Sequence, residues 1–335
     1  MHADRFEVST DVENAVAGAL THCATALLAV SGGLDSMALL TAASKLPLPG
    51  HRRIILCTFD HGTGPAARRA ATLVANESAR LGFECVSGQA VTTGSREDEW
   101  RRARWEFLRD VAALYDATVV TAHTRDDQIE TVFMRILRDA GPRGLAGLYA
   151  DSEIVRPFLG VRRAALERYA TENRIRYVDD PSNTDRKHLR NRIRLDILPS
   201  IVKRRPQFPD ELLALAHSAA EWRRSLEAIL PAIDVTSERD GALRISRSSL
   251  RGYDADSLRV LWPALAARAS VVMDRRGTQR AAEFTMKGAT GGAIQLSGGI
   301  EIVMSREHMV LRRAPNSGRR VVRRGTAPVA GEVRI

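Results

Sequence analysis

Four times before Leu137 a short apolar run is followed, across a few turn-forming residues, by a longer stretch of helical spacing. No other feature limits the possible folds as strongly. ATALLAV at Ala24–Val30 leads through a glycine-containing turn into a helical pattern at Asp35–Lys45. Ile54–Phe59 precedes Ala66–Leu81, Cys85–Val91 precedes Arg96–Tyr115, and Thr118–Ala122 precedes Asp126–Leu137. Strand-then-helix units in series predict an α/β fold: a doubly wound parallel sheet covered by helices on both faces.

After Asp139 the run AGPRGLAGL breaks the helical pattern and predicts an ordered loop, then a last strand near Glu153–Phe158 and a short helix at Val161–Asn173. Leu212–Leu230 has helical spacing, and the Pro206–Pro209 punctuation before it suggests a boundary: a catalytic domain over 1–208 and a C-terminal domain over 209–314. This second domain is expected to be smaller and mainly helical. It contains a helical stretch at Asp256–Ala267 and a β-hairpin, Ala293–Leu296 and Ile300–Met304, around Ser297–Gly298–Gly299. Residues 315–335 form a basic tail, expected to be flexible.

Charge points to the partner. Lys and Arg number 50 against 40 Asp and Glu, a formal net charge of +10, which suits a polyanion. Between Arg186 and Arg205 eight basic residues face one acid, Asp196. Three scattered cysteines, Cys23, Cys57 and Cys85, exclude a disulfide framework and a thiolate metal site. No run approaches the roughly 18 apolar residues of a membrane span, and the polar N-terminus lacks the order of a signal peptide, so a cytoplasmic location is expected.

The loop after the first strand, SGGLDS at Ser31–Ser36, sits where backbone N–H groups and the helix dipole converge on an anion. Gly32 and Gly33 allow close approach, Ser31 and Ser36 add hydroxyls, and Asp35 offers a carboxylate to a hard cation such as Mg2+. It matches neither the G-x-x-x-x-G-K-[ST] nor the G-x-G-x-x-G arrangement. SGGLDS resembles the pyrophosphate loop of the N-type ATP pyrophosphatases, with their adenine nucleotide alpha hydrolase-like fold. That likeness implies ATP bound along Ser31, Gly32, Gly33, Leu34, Asp35 and Ser36.

Further segments narrow the choice. In TAHTRDDQIETVFMRILRDAGPRGLAGL, Thr121–Leu148, His123, Asp126, Asp127 and Glu130 fall at a strand's C-terminal end and the first turns of the next helix, the rim where open α/β sheets bind ligands. These carboxylates can hold a cation, dock an ammonium, accept a proton or merely cap the helix. DPSNTDRKHLRNRIRLDILP, Asp180–Pro199, carries arginines suited to phosphate oxygens. EDEWRRARWEFL, Glu97–Leu108, sets Arg104 before an aromatic, with Arg101 and Arg102 adding charge. All three resemble signatures of the tRNA(Ile)-lysidine synthetases, over about Leu27–Pro199. Only Asp60–His61–Gly62 survives of that family's D-H-G-L-R.

The resemblance implies an enzyme that uses ATP and L-lysine to modify the wobble cytidine of tRNA(Ile) with a CAU anticodon through an adenylated base. It assigns catalysis to Asp35, Asp127, Glu130 and Arg104, Mg2+ to Asp35 and Asp127, and nucleotide contacts also to Phe59, His61 and His123. It assigns tRNA contacts to Arg190, Arg192, Arg194, Lys203, Arg204 and Arg205. The alternatives are a tRNA thiolase on the same sheet and a non-catalytic RNA-binding protein. Among protein partners only a homodimer is left open.

Overall fold

The computed structural model describes residues 3–47, 53–60, 62, 64–90, 97–238 and 240–314. A helix that the sequence pattern does not announce, α1 (Ala3–Leu20), precedes the alternation. Then come β1 (Thr25–Ala29), α2 (Leu34–Ser44), β2 (Arg53–Asp60), α3 (Pro65–Leu81), β3 (Glu84–Gln89), α4 (Glu97–Tyr115), β4 (Thr118–Thr121) and α5 (Arg125–Leu137). The parallel strands lie in the order β3-β2-β1-β4. The predicted doubly wound sheet is present, with β1 inside it.

Alternation along the strands divides the core. Ala26, Leu28, Ile54 and Leu56 join a cluster with Val12, Val16 and Leu20 of α1 and Met37 and Leu40 of α2. Leu27, Ile55 and Cys57 point the other way, against Leu108 and Val111 of α4. Leu27, Leu28, Ile55 and Leu56 are each fully buried, and each such side chain contributes about 1.5–3 kcal/mol relative to exposure. Val12, Val16 and Leu20 recur every four residues, so α1 has an apolar stripe, blurred in sequence by the small residues Ala15, Ala17, Gly18 and Ala19 between them.

Two short pieces follow α5: helix α6 (Pro142–Leu145) and a 3-10 turn at Gly147–Tyr149. The buried Gln128 holds this loop, its Nε2 donating to Ala146 O at 2.9 Å and its Oε1 accepting from Leu148 N at 2.6 Å. Gly147 has φ +61°, and a Cβ there would stand 2.5 Å from Gln128 Oε1. The expected last strand at Glu153–Phe158 does not form. Only Val155 bridges to Val120, and Pro157, which lacks an N–H, starts a 3-10 turn at Pro157–Gly160 that ends the ladder.

Beyond it lie α7 (Arg163–Glu172), a 3-10 turn at Pro181–Thr184, and a nearly continuous helical run. That run comprises α8 (Leu189–Arg192), a π-helical turn (Ile193–Ile197) and α9 (Leu198–Arg204).

The chain separates into compact units at Met1–Arg223 and Arg224–Ile335. The division falls inside α10 (Phe208–Ile229) rather than at Pro206–Pro209. Its reason is packing: Leu212, Leu213 and Ala216 bury against Ile129, Val132 and Phe133 of α5. The second unit holds β5 (Val235–Ser237), β6 (Leu243–Ser246), α11 (Ala255–Arg268), α12 (Arg275–Lys287), β7 (Ala293–Leu296), β8 (Ile300–Met304) and β9 (His308–Arg313). The expected hairpin is β7–β8, turning through Gly298 and Gly299 at φ +77° and +71°. It belongs to an antiparallel sheet of order β5-β6-β9-β8-β7. The basic tail, 315–335, lies outside the described residues. No described helix is long and apolar enough to cross a membrane.

Candidate nucleotide site

The glycine loop is braced by its own serine. Ser36 Oγ accepts from Ser31 N at 3.1 Å, donates to Gly33 O at 2.9 Å and lies 3.2 Å from Ser31 Oγ. Gly32, at φ +83°, lies against Ala70 of α3, where a Cβ would sit 2.8 Å from Ala70 Cβ and 2.9 Å from its carbonyl oxygen. Gly32 O also accepts from Val178 N at 2.9 Å. Gly33 caps α2 in extended backbone, and a Cβ there would meet only Ser31 Oγ at 3.7 Å. Its missing side chain therefore leaves room for a guest rather than relieving strain.

A cavity of about 310 Å3 opens on this loop, within the range of small-molecule sites. Ser31, Gly33, Asp35, Ser36, Phe59, Arg104, His123 and Asp127 all line it, so most of the residues expected to bind the nucleotide or take part in catalysis meet at one place. Gly32 shapes the loop without lining the cavity. Leu34 turns instead to a neighbouring hollow with Arg163 and Glu167. His61 lies outside the described residues. Asp180 and Asn183 line the cavity without having been singled out as ligands; the DPSN turn was the available signal. Four alanines of α3, Ala66, Ala67, Ala70 and Ala71, form part of the wall.

Asp35 stands at the N-terminus of α2, its Oδ2 3.6 Å from Arg163 Nη1. Burial pushes its carboxyl up to about 6 despite Arg163. Its Oδ1 is buried without a hydrogen-bond partner. Such an orphaned acceptor fits a cation, which would favour the ionised form that burial disfavours. Among the described residues no three His, Cys, Asp or Glu side chains form a metal cage, so Mg2+ held here would complete its shell with phosphate oxygens and water.

Asp127 is differently placed. With Thr124 it forms a capping box on α5: Oδ2 accepts from Thr124 N at 2.9 Å and Thr124 Oγ1 at 3.0 Å. Its Oδ1 accepts from Arg190 at 2.9 Å and Arg194 at 3.1 Å. Burial alone would raise its pKa, but Arg190, the Thr124 N–H, His123 and Arg194 outweigh it and hold the carboxyl below the ordinary value. Both oxygens being engaged, the metal role expected of Asp127 is not supported by this geometry. Asp126 instead accepts from Arg163 N at 2.8 Å, at the start of α7.

Glu130 is 2% exposed. Its two oxygens are gripped by Arg190 Nε at 2.7 Å and by Arg194 through Nε and Nη2. It does not line the cavity, so it is a positioning group rather than a direct ligand. Arg190 and Arg194, expected to reach tRNA phosphates, are thereby spent internally; the turn-by-turn spacing that suggested a basic face brings both onto the buried Glu130 and the half-buried Asp127. Arg205 pairs with Glu211 at 2.9 Å, whereas Arg192, Lys203 and Arg204 are exposed.

His123 lines the cavity with Nδ1 2.8 Å from Thr121 Oγ1. Burial, aided by nearby arginines and opposed by Asp127, lowers its pKa to about 4, so the ring is neutral at pH 7. Arg104 reaches the cavity from α4 with no carboxylate partner among the described residues; burial and nearby Arg101 weaken its hold on a proton. Cys57 also lines the cavity, but burial pushes its thiol up to about 12, which keeps it protonated and unreactive.

The PP-loop domain family matches residues 7–201. A tRNA(Ile)-lysidine synthase of Burkholderia pseudomallei is 37% identical over 245 residues, covering 68% of this chain and 48% of the relative. One of Salinispora arenicola is 35% identical over 247 residues, covering 69% and 74%. The chain thus spans about half the length of some of the curated relatives it matches. Among solved structures, the U34-tRNA thiolase NcsA from Methanococcus maripaludis with its [4Fe-4S] cluster shares the fold, at 14% identity and TM-score 0.53, covering 64% of this chain and 80% of that one. With the PP-loop domain matched over more than half of the chain and the Salinispora arenicola relative covered over 74% of its length, the chain belongs to the PP-loop enzymes and, among them, to the tRNA(Ile)-lysidine synthase family.

Proposed function

We propose that this enzyme uses ATP to replace the 2-oxo group of the wobble cytidine in CAU-anticodon tRNA(Ile) with the ε-amine of L-lysine. The observation that carries the reading is the conjunction, in one cavity, of an anion-binding loop, a buried Asp35 oxygen without a hydrogen-bond partner and Arg104, which meets no carboxylate among the described residues.

The chemistry needs two displacements. The cytosine O2 attacks the α-phosphate and pyrophosphate leaves; the lysine amine then attacks C2, loses a proton, and AMP departs with the base's former oxygen. In this proposal the N–H groups of Ser31–Ser36 hold the leaving pyrophosphate, and Arg104 opposes the charge that grows on it. Asp35 holds Mg2+, which when bound neutralises phosphate charge. Asp127, held by Arg190 and Arg194, braces the wall against which the amine is presented, and the neutral His123, which lines the same cavity, can take the amine's proton. Glu130 fixes Arg190 and Arg194 so that Asp127 keeps its place.

Exposed Arg192, Lys203 and Arg204 and, separately, the C-terminal unit beyond Arg223 are each proposed to hold tRNA through phosphates. The thiolase alternative is disfavoured by Cys57, the cysteine in the cavity wall, because its thiol stays protonated. The test is direct. The protein is incubated with ATP, lysine and the tRNA transcript, and the digested nucleosides are analysed by mass spectrometry. Lysine at the wobble cytidine, with AMP and pyrophosphate in equal amounts, is expected. ATP turnover without lysine incorporation, or sulfur in its place, overturns the reading.

A further inference from the structure

One turn on the cavity wall has no part in the displacements described above. Val178, Asp180 and Asn183 all line the cavity, and the 3-10 turn at Pro181–Thr184 that carries Asn183 is pinned from several sides. Val178 N donates to Gly32 O at 2.9 Å, which ties the segment to the glycine loop. The buried Asn191 of α8 donates through Nδ2 to Ser182 O at 2.7 Å and to Asp185 O at 2.8 Å. Within the turn, Asp180 Oδ1 accepts from Ser182 N at 2.9 Å and Asn183 N donates to Asp180 O at 3.0 Å. These bonds use backbone groups and one carboxylate oxygen. Asp180 Oδ2 and the Asn183 side-chain amide take no part in them, so a rigid turn carries one acceptor and one amide at the cavity wall.

Position and charge indicate which part of the substrates they meet. The interior of the cavity is walled by the buried Cys57 and Leu108, and the loop N–H groups and Arg104 suit phosphates. Asp180 and Asn183 are exposed, which places them on the solvent side, where a base carried by RNA enters. A carboxylate repels phosphate oxygens and accepts from an amino group. Cytosine offers an amino donor at C4 beside the N3 acceptor, whereas uracil offers an acceptor at O4 beside an N3–H donor. An accepting carboxylate and a donating amide on one tight turn are complementary to the first edge and opposed to the second. Adenine shares the cytosine order of donor and acceptor, so the test must separate these two bases.

We infer that Asp180 and Asn183 read the pairing edge of the base delivered for modification and select cytosine over uracil. Asp180 accepts from the 4-amino group and Asn183 Nδ2 donates to N3. The inference rests on the proposed function and leaves its reacting atom open, because O2 lies on the far side of N3 from the amino group.

The test compares kcat/KM for lysine incorporation into two ligated CAU-type tRNAs. One carries cytidine at the wobble position; the other carries the pyrimidin-2-one ribonucleoside, which keeps O2 and N3 and lacks the amino group. With the unaltered protein, loss of the amino group is expected to lower kcat/KM about 10–100-fold. D180N keeps an oxygen for Ser182 N, so the turn survives, and it should lose a similar factor on cytidine while turning over the two tRNAs within about threefold of each other. N183A, which removes only the donor to N3, should slow both tRNAs by the same factor. ATP affinity, measured by calorimetry without RNA, should be unchanged in both variants. An unaltered protein that uses the two tRNAs equally, or losses from D180N and from the missing amino group that multiply, overturns the base reading and leaves the proposed function standing. Weakened ATP binding in D180N also overturns it, by assigning the turn to adenine. An unaltered protein that modifies neither tRNA overturns the proposed function and this inference with it.

Discussion

Asp35→Asn separates what the glycine loop needs for chemistry from what it needs for stability. In the folded protein burial raises the Asp35 carboxyl from 3.8 to about 6, so the native state holds this proton more tightly than the unfolded chain does. The stabilisation belongs to the protonated form. It is present below the unfolded value near 4 and is lost as pH rises through the folded value near 6.

At roughly 1.4 kcal/mol per pH unit, the shift corresponds to an upper bound of about 3 kcal/mol. The side chain is 22% exposed, and some solvent relaxation reduces this to about 1–2 kcal/mol. Asparagine keeps the shape and cannot ionise. Urea unfolding with EDTA should therefore show D35N more stable than the unaltered protein by that amount at pH 8, with the gap closing towards pH 4. Adding Mg2+ at pH 8 should stabilise the unaltered protein and not D35N, and D35N should form no adenylate. A gap that does not change with pH, or one that grows as pH falls, would refute the burial argument.

Three further substitutions probe the rest of the site. Glu130→Gln leaves two guanidiniums facing a buried amide and should cost about 3–5 kcal/mol in the denaturation midpoint; a loss under about 1 kcal/mol would show the arginine clamp to be energetically idle. Gly32→Ala combines left-handed backbone with a Cβ pressed on Ala70, and a loss of about 2–4 kcal/mol with weakened ATP binding by calorimetry is expected. Arg104→Met removes an unpaired, partly buried charge, so the melting temperature should hold or rise while ATP–pyrophosphate exchange falls about 100-fold or more; exchange at the unaltered rate would remove Arg104 from the reaction.

The local signals read in the chain reach as far as elements and their order. Apolar runs at Leu27–Leu28 and Ile55–Leu56, each followed by helical spacing, dictate a sheet covered on both faces, because no other arrangement hides such strands from water. The Gly32–Gly33 pair before Asp35 likewise announces an anion-binding turn, since positive φ and close approach are properties of single residues. The α1 stripe of Val12, Val16 and Leu20 was legible in principle but obscured by the alanines and glycine interleaved with it, which flatten the contrast between faces.

What only the tertiary structure decided concerns pairs of residues far apart in the chain. Arg190 and Arg194 look like a phosphate-facing run until Asp127 and Glu130, more than fifty residues earlier, are brought against them. A side chain's charge is written in its own position, but whether that charge is spent inside the protein or kept for a ligand depends on which partner the folded chain sets within reach, and distance in space is not encoded by distance in sequence.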